Sequence, residues 1–183
     1  MNVTIFGGSQ PREGTPDYEQ ARLLGNLLGQ QGYTVQTGGY IGTMEAVSRG
    51  ASEAGAHVIG VTCEQIEAWR PIRANAWVKE ERRTQTLLER LDMLITACDA
   101  AIALPGGPGT LAEIALMWNL MIIGALPPRP LILVGRGWQS MLDQAFQTQG
   151  DYFPAGQRAL IQFAPDVQTA VKLLQSQTRG NHG

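Results

Sequence analysis

The chain has 183 residues, 44% of them hydrophobic and 16% charged, with a formal net charge of −2. That composition supports one globular domain with a full core and speaks against disorder. The near-neutral balance gives no electrostatic reason to expect a nucleic-acid or membrane partner, and no apolar run reaches the ~20 residues of a bilayer span.

Asn2 to Phe6 is a short β run that ends in Gly7-Gly8-Ser9, a first glycine turn. Pro11 to Pro16 is a polar loop rich in breakers. The spacing predicts an amphipathic helix over Asp17 to Gln31, with Tyr18, Ala21, Leu24 and Leu28 on one face and Gly32 closing it. Tyr33 to Thr37 reads as the second strand. It runs into Gly38-Gly39-Tyr40-Ile41-Gly42-Thr43-Met44-Glu45, a second glycine turn opening a helix to about Ala54. Ala56 to Thr62 is the third strand, with His57 expected to pack at its start.

Glu64 to Val78 reads as irregular; its Trp69, Pro71 and Trp77 suit a lid, a subunit contact or ordinary packing. Lys79 to Cys98 reads as one long helix with Leu87, Leu91, Leu94 and Ile95 as its apolar stripe and Glu80, Glu81, Arg82 and Arg83 as a solvated face. Asp99 to Leu104 is the fourth and central strand, followed by a helix over Leu111 to Ile123. Pro130 to Val134 is the fifth strand. Trp138 to Gln147 and Asp166 to Gln177 are closing helices, with a short strand around Leu160 to Phe163 between them. Residues 1–178 read as a single domain and 179–183 as a frayed tail. Repeated β–α units with glycines at the strand ends predict an α/β fold: a doubly wound parallel sheet, Rossmann-like, in three layers.

Cys63 and Cys98 are the only cysteines, too few for a disulfide framework. No basic stretch precedes the first strand, so no signal peptide is expected and a cytoplasmic location is. His57 and His182 are far apart, and no Cys/His cluster has metal-ligand spacing, so no metal is expected. The dinucleotide fingerprint G-x-G-x-x-G is absent, and no cofactor is expected.

The most informative stretch is Leu104-Pro105-Gly106-Gly107-Pro108-Gly109-Thr110-Leu111-Ala112-Glu113. Three glycines and two prolines fill the turn between a buried strand and a helix, which is where an open α/β sheet binds its ligand. Glycines let the backbone approach a ligand, and a helix start offers unpaired N–H groups with partial positive charge, so the natural guest is an anion such as phosphate. A tight turn without a ligand uses the same residues. Thr110 and Glu113 also have capping-box spacing, a role that can coexist with a functional one.

These residues resemble a known family. P-G-G-x-G-T-x-x-E is the signature of the LOG family, the cytokinin-activating nucleoside 5′-monophosphate phosphoribohydrolases, long mislabelled as lysine decarboxylases. Trp118 falls where that family continues with a Trp, and Glu89-Arg90 falls where it has M-H-E-R-K. Gly8-Ser9 match its first turn, and Gly39, Gly42 and Met44 retain the core of its second, G-G-G-x-x-G-L-M-G. The resemblance spans roughly residues 2–135.

The resemblance implies release of a free base and ribose 5-phosphate from AMP or an N6-modified AMP. It implies Arg90 and Glu113 as the catalytic pair and a homodimer or larger homo-oligomer, with a small-molecule nucleotide as the partner. Gly106, Gly107, Gly109 and Thr110 are expected to hold phosphate; Ser9, Gly39, Gly42 and Met44 are second-rank binding residues. A carboxylate one turn into the helix suits an oxocarbenium-like sugar and can accept a proton from water, and a helix N-terminus favours its ionised form. Arg90 keeps its proton and can orient Glu113 or fix the ligand. Met117, Trp118 and Met121 suit either a subunit contact or the core.

The chain also departs from the family: M-H-E-R-K becomes Leu87-Leu88-Glu89-Arg90-Leu91, and Thr37, Thr43 and Glu45 replace residues of the second turn. A non-catalytic carrier or sensor of a nucleotide or molybdenum cofactor is therefore the alternative. Lysine decarboxylation is not expected, since its Schiff base needs a lysine and the chain offers only Lys79 and Lys172, neither after a strand-end loop.

Overall fold

The computed structural model describes residues 1–180. Among them, seven strands form one sheet: β1 (Asn2–Phe6), β2 (Thr34–Thr37), β3 (Val58–Cys63), β4 (Glu80–Thr84), β5 (Ala100–Ala103), β6 (Leu131–Val134) and β7 (Gln162–Ala164). Their order is β4-β3-β2-β1-β5-β6-β7, with every neighbouring pair parallel. The chain works outward from β1 to β4 and then returns to add β5 on the other side of β1. The order therefore reverses between β1 and β5, the place where a doubly wound sheet opens a crevice at its carboxyl ends. Phe6 and Ala103 are the last paired residues there, and each leads into a glycine turn.

Parallel strands need both faces covered. Val3, Ile5, Val35, Val58 and Ile102 pack on one face against α1 (Pro16–Gln30), α2 (Thr43–Glu53) and α8 (Val167–Gly180). Phe6, Val61, Ala101 and Leu133 pack on the other against α4 (Leu87–Thr96), α5 (Pro108–Ile122) and α6 (Arg136–Thr148). A Cβ on Gly25 of α1 would stand 2.1 Å from the Val47 carbonyl oxygen, and one on Gly50 of α2 would stand 1.9 Å from that of Arg22. These two glycines let α1 and α2 touch backbone to backbone. On the opposite face the Thr4 hydroxyl donates to the Leu94 carbonyl at 2.9 Å and Gln36 Nε2 donates to the same oxygen at 3.2 Å. These buried bonds hold α4 over β1 and β2, with Arg90 one turn upstream.

The expected long helix over 79–98 is instead two elements, β4 and α4. Charges on both faces of β4 hide its period of two, and a strand of this kind suits a sheet edge. Its charges are paired: Glu80 with His57 at 2.8 Å and Arg82 at 2.6 Å, Glu81 with the Thr62 hydroxyl at 2.6 Å, Arg83 with Glu67 at 2.7 Å. His57 thus lies in a surface pair rather than packing at its strand start. Thr86 then caps α4: its hydroxyl accepts from the Glu89 amide at 3.2 Å, and the Glu89 carboxylate accepts from the Thr86 amide at 3.0 Å.

The stretch expected to be irregular begins with α3 (Glu64–Trp69). Trp69 is 80% exposed rather than packed. A 3-10 turn (Gly150–Tyr152) and α7 (Ala155–Arg158) precede β7. The expectation for the tail falls, from residue 181 on, outside the described residues, as does His182. α8 continues to Gly180. No helix of the described residues is long and apolar enough to cross a membrane.

Candidate active site

Three glycine turns meet at the strand ends and are stitched together through Gly8. Its amide donates to the Pro105 carbonyl at 3.1 Å, and its carbonyl accepts from the Thr43 amide, at the start of α2, at 3.0 Å. Gly42 enters α2 with φ +74, and a Cβ there would stand 2.6 Å from the Ser9 carbonyl carbon. Gly106 is closed against protein too, since its Cβ would meet the Thr110 hydroxyl at 2.2 Å. Gly107 and Gly109 differ: nothing lies within 4 Å of a Cβ built on either.

The helix after the signature starts three residues earlier than expected, because Pro108 serves as its first residue and Gly107 as its N-cap. Thr110 is therefore inside the first turn and makes no cap; the expected capping box is found instead at Thr86 and Glu89. Among the described residues, the amides of Gly106, Gly107, Gly109 and Thr110 meet no protein acceptor. These are four donors around a helix start, two of them on open glycines, an arrangement of the kind that suits an anion.

Arg90 and Glu113 come together beside this cradle, with Nη1 of Arg90 3.9 Å from Oε1 of Glu113. Both are buried, at 6% and 8% exposure. Arg90 is clamped on its other edges: Nε donates to the Val61 carbonyl at 2.8 Å and Nη2 to the Gly38 carbonyl at 3.1 Å. The Tyr40 ring lies 5.5 Å from the guanidinium carbon, and Met44 Sδ lies 3.9 Å from Nη2. Glu113 lies in the second turn of α5, beyond the reach of the helix-terminal charge. Burial pushes its carboxyl up to about 7, with the Arg90 charge opposing. This reverses the expectation of a carboxylate held ionised by a helix start; near neutral pH it is poised between its two forms.

Gly107, Gly109 and the Thr110 amide thus line the open loop, and the buried Arg90 and Glu113 cluster beside it with the half-buried Met44. Gly106 and the Thr110 hydroxyl face each other inside the turn. Ser9 and Gly42 back onto each other where the first two turns meet. Gly39 points away from the pair: it has φ +77, and a Cβ built on it would stand 3.2 Å from Gly60 Cα of β3. Met117, Trp118 and Met121 are core residues, at 0%, 7% and 4% exposure, and Trp118 stacks on Phe153 at 5.6 Å.

Three further residues of this site were not singled out from the sequence, although Gly38 and Tyr40 lie in its second glycine turn. Gly38 leaves room for the guanidinium; its Cβ would stand 1.9 Å from Arg90 Nη2. Tyr40 is 1% exposed, and its hydroxyl accepts from the Cys63 amide at 2.7 Å and donates to Glu67 at 3.3 Å. Burial pushes that hydroxyl up to about 12, so it stays protonated. Asn75 binds the second turn from outside: its amide donates to the Gly39 carbonyl at 2.8 Å, and Nδ2 to the Tyr40 carbonyl at 2.9 Å.

Two hollows flank the cluster. One of about 690 Å³ is bordered by Glu67, Ile72, Arg73, Glu81 and Arg83, beyond Tyr40. The other, about 170 Å³, lies under the signature turn between Thr43, Leu104, Pro105, Val134 and Val167, with Asp17 at its edge. Arg90 and Glu113 line neither. Among the described residues, no group of three or more His, Cys, Asp or Glu side chains could hold a metal ion.

Comparison with known proteins adds to this geometry. Residues 44–174 match a protein family described as "Possible lysine decarboxylase". The chain is 31% identical over 178 residues to the cytokinin riboside 5′-monophosphate phosphoribohydrolase LOG3 of Arabidopsis thaliana, covering 94% of this chain and 81% of that one. It is 27% identical over 183 residues to an enzyme of the same description from Rhodococcoides fascians, covering 96% and 89%. Among solved structures, the molybdenum cofactor binding protein of Rippkaea orientalis superposes with a TM-score of 0.73 at 24% identity, covering 96% and 95%. The molybdenum cofactor carrier protein of Chlamydomonas reinhardtii gives 0.72 at 22%, covering 96% of each chain. At those identities the two structures show the shared Rossmann-like fold.

Proposed function

Because this chain belongs to the LOG-type family of possible lysine decarboxylases, we propose that it hydrolyses the N-glycosidic bond of a nucleoside 5′-monophosphate. The observation that carries this reading is the buried Arg90–Glu113 pair, 3.9 Å apart, beside a helix start whose amides are open to an anion. Phosphate bound at Gly107, Gly109 and Thr110 brings the ribose toward the first turns of α5. As the C1′–N bond breaks, its electron pair leaves with the base, which takes a proton from solvent. The ionised Glu113 stabilises the oxocarbenium-like sugar and accepts a proton from the water whose oxygen bonds to C1′. Arg90 keeps Glu113 oriented and favours its charged form.

AMP or an N6-modified AMP is the proposed substrate class, after the relatives' description as cytokinin riboside 5′-monophosphate phosphoribohydrolases. A cytoplasmic location and a homodimer or larger homo-oligomer belong to the same proposal. Lysine decarboxylation does not: Lys79 enters the edge strand β4 and Lys172 lies on α8, so neither suits a Schiff base beside the signature turn. The experiment is incubation of the purified protein with AMP, followed by assay for adenine and ribose 5-phosphate. Release that vanishes in Glu113→Gln supports hydrolysis; no release from AMP or an N6-substituted AMP overturns it.

A carrier of a nucleotide or molybdenum cofactor is the second reading. It is favoured by the burial of the pair and by Leu88 and Leu91, which stand in the sequence beside Arg90 where the family has His and Lys. Tight binding of the ligand without turnover would support it.

A further inference from the structure

Arg90 sits in a seat with three walls, two of them carbonyl oxygens. Those of Val61 and Gly38 fix Nε and Nη2 at 2.8 and 3.1 Å and so define the edge of the guanidinium plane. The third wall is the Tyr40 ring, 5.5 Å from the guanidinium carbon. A ring face attracts a cation, more strongly when both are out of water, and here Tyr40 is 1% and Arg90 6% exposed. The ring is held by its full burial and by Asn75 Nδ2 on its carbonyl, while its hydroxyl also meets the Cys63 amide and Glu67. The one guanidinium nitrogen without a backbone acceptor, Nη1, is the one that faces Glu113.

We propose that Tyr40 is a positioning residue: its ring face holds the Arg90 guanidinium so that Nη1 is directed at Glu113. The proposal deepens the hydrolase reading and rests on it for its kinetic consequence, but the geometric claim is separable. The braces on Tyr40 come from β3, α3 and the segment after α3, so position 40 ties those elements to the paired side chains.

The test compares Tyr40→Phe, Tyr40→Leu and replacement of Tyr40 by trifluorophenylalanine, which keeps the ring's shape but weakens its negative face. Folding is checked by circular dichroism. With AMP as substrate, kcat is expected to fall about 10-fold in the leucine and trifluoro proteins with little change in KM, and to stay near wild type in Tyr40→Phe. Independently of turnover, carbon NMR titration of Glu113, assigned through Glu113→Gln, reads whether Arg90 still faces it. The midpoint is expected to rise in the leucine and trifluoro proteins and to hold in Tyr40→Phe. An unchanged midpoint in the folded trifluoro protein overturns the proposal, and so does a rise in Tyr40→Phe equal to that in the leucine protein, which would assign the effect to the hydroxyl. A wild type that releases no adenine but shows the midpoint pattern leaves the positioning intact and removes the hydrolase reading alone.

Discussion

Gly38 and Arg90 occupy one seat. Nη2 of Arg90 donates to the Gly38 carbonyl at 3.1 Å, and it fills the space a side chain on Gly38 would need, 1.9 Å from the would-be Cβ. Gly38→Ala must therefore expel the guanidinium. Overpacking of this kind costs about 1–3 kcal/mol, measurable by urea unfolding. Loss of the Arg90–Glu113 alignment is expected to lower kcat by about 100-fold. A Gly38→Ala protein of wild-type activity would remove Arg90 from the proposed mechanism.

The raised carboxyl of Glu113 makes stability depend on pH in a direction opposite to that of an ordinary salt bridge. Its value is about 7 in the folded chain against the ordinary 4.5 of a glutamate, so between those values the folded state holds a proton that the unfolded state releases. Stability contributed by this group is full below about pH 4.5 and is lost as pH rises toward 7. Glu113→Gln removes the titration. Relative to wild type it should gain up to about 3 kcal/mol on going from pH 5 to pH 8, read from Tm at the two pH values. An equal effect of the mutation at both pH values would show that Glu113 titrates as an ordinary surface carboxyl.

The same group sets the pH profile of turnover. If ionised Glu113 accepts the proton from water, kcat should fall below about pH 7, following the value above. Because the Arg90 charge lowers that value, Arg90→Met should move the acid limb upward as well as slow the reaction. A limb that moves downward would contradict the pairing.

Asn75 carries the second glycine turn from outside. Asn75→Ala removes the bonds from Nδ2 to the Gly39 and Tyr40 carbonyls, at 3.0 and 2.9 Å; the Gly39 carbonyl keeps the backbone amide of residue 75, while the Tyr40 carbonyl loses its side-chain donor. The expected loss is about 1–3 kcal/mol, by urea unfolding, with a fall in kcat through Tyr40. Unchanged stability would mean water replaces the side chain.

Helix α5 is apolar on nearly all sides: Ile114, Met117 and Met121 face the core, yet Leu111 is 39% exposed, and so is Ile123, the cap residue that follows it, at 65%. An all-round apolar helix is a buried one, which suits a second copy of the chain against its outer side. Ala115→Arg, at an exposed position of that helix, should shift the protein from dimer or larger oligomer to monomer in light scattering. A wild-type protein that is already monomeric excludes this arrangement.

Much of the fold was legible because parallel strands buried on both faces leave plain apolar runs, as in Ala100–Ala103, and because glycines mark their ends. Strand β4 was not legible: a strand seen by solvent at the sheet edge has no apolar alternation, and Glu80 to Arg83 imitate a helix surface. The Thr86–Glu89 capping box was written in the same spacing as Thr110–Glu113. Only the tertiary setting, a Pro108 that starts α5 early, tells which one caps. Arg90 and Glu113 were reachable through motifs, whereas Tyr40 and Asn75 act through backbone carbonyls and a ring face, which leave no spacing to read. The protonation of Glu113 could not be foreseen for a related reason, since burial is a property of the packed molecule.

The outermost strand has a consequence for how copies of this protein can meet. β4 bears charges on both sides, tied to His57, Thr62 and Glu67. A newcomer strand docking on it would have to strip water from those ions and break their ties to gain a few backbone bonds. This margin of the sheet is thereby guarded against a docking strand, and any pairing of copies edge to edge would have to use the opposite margin, the three-residue β7.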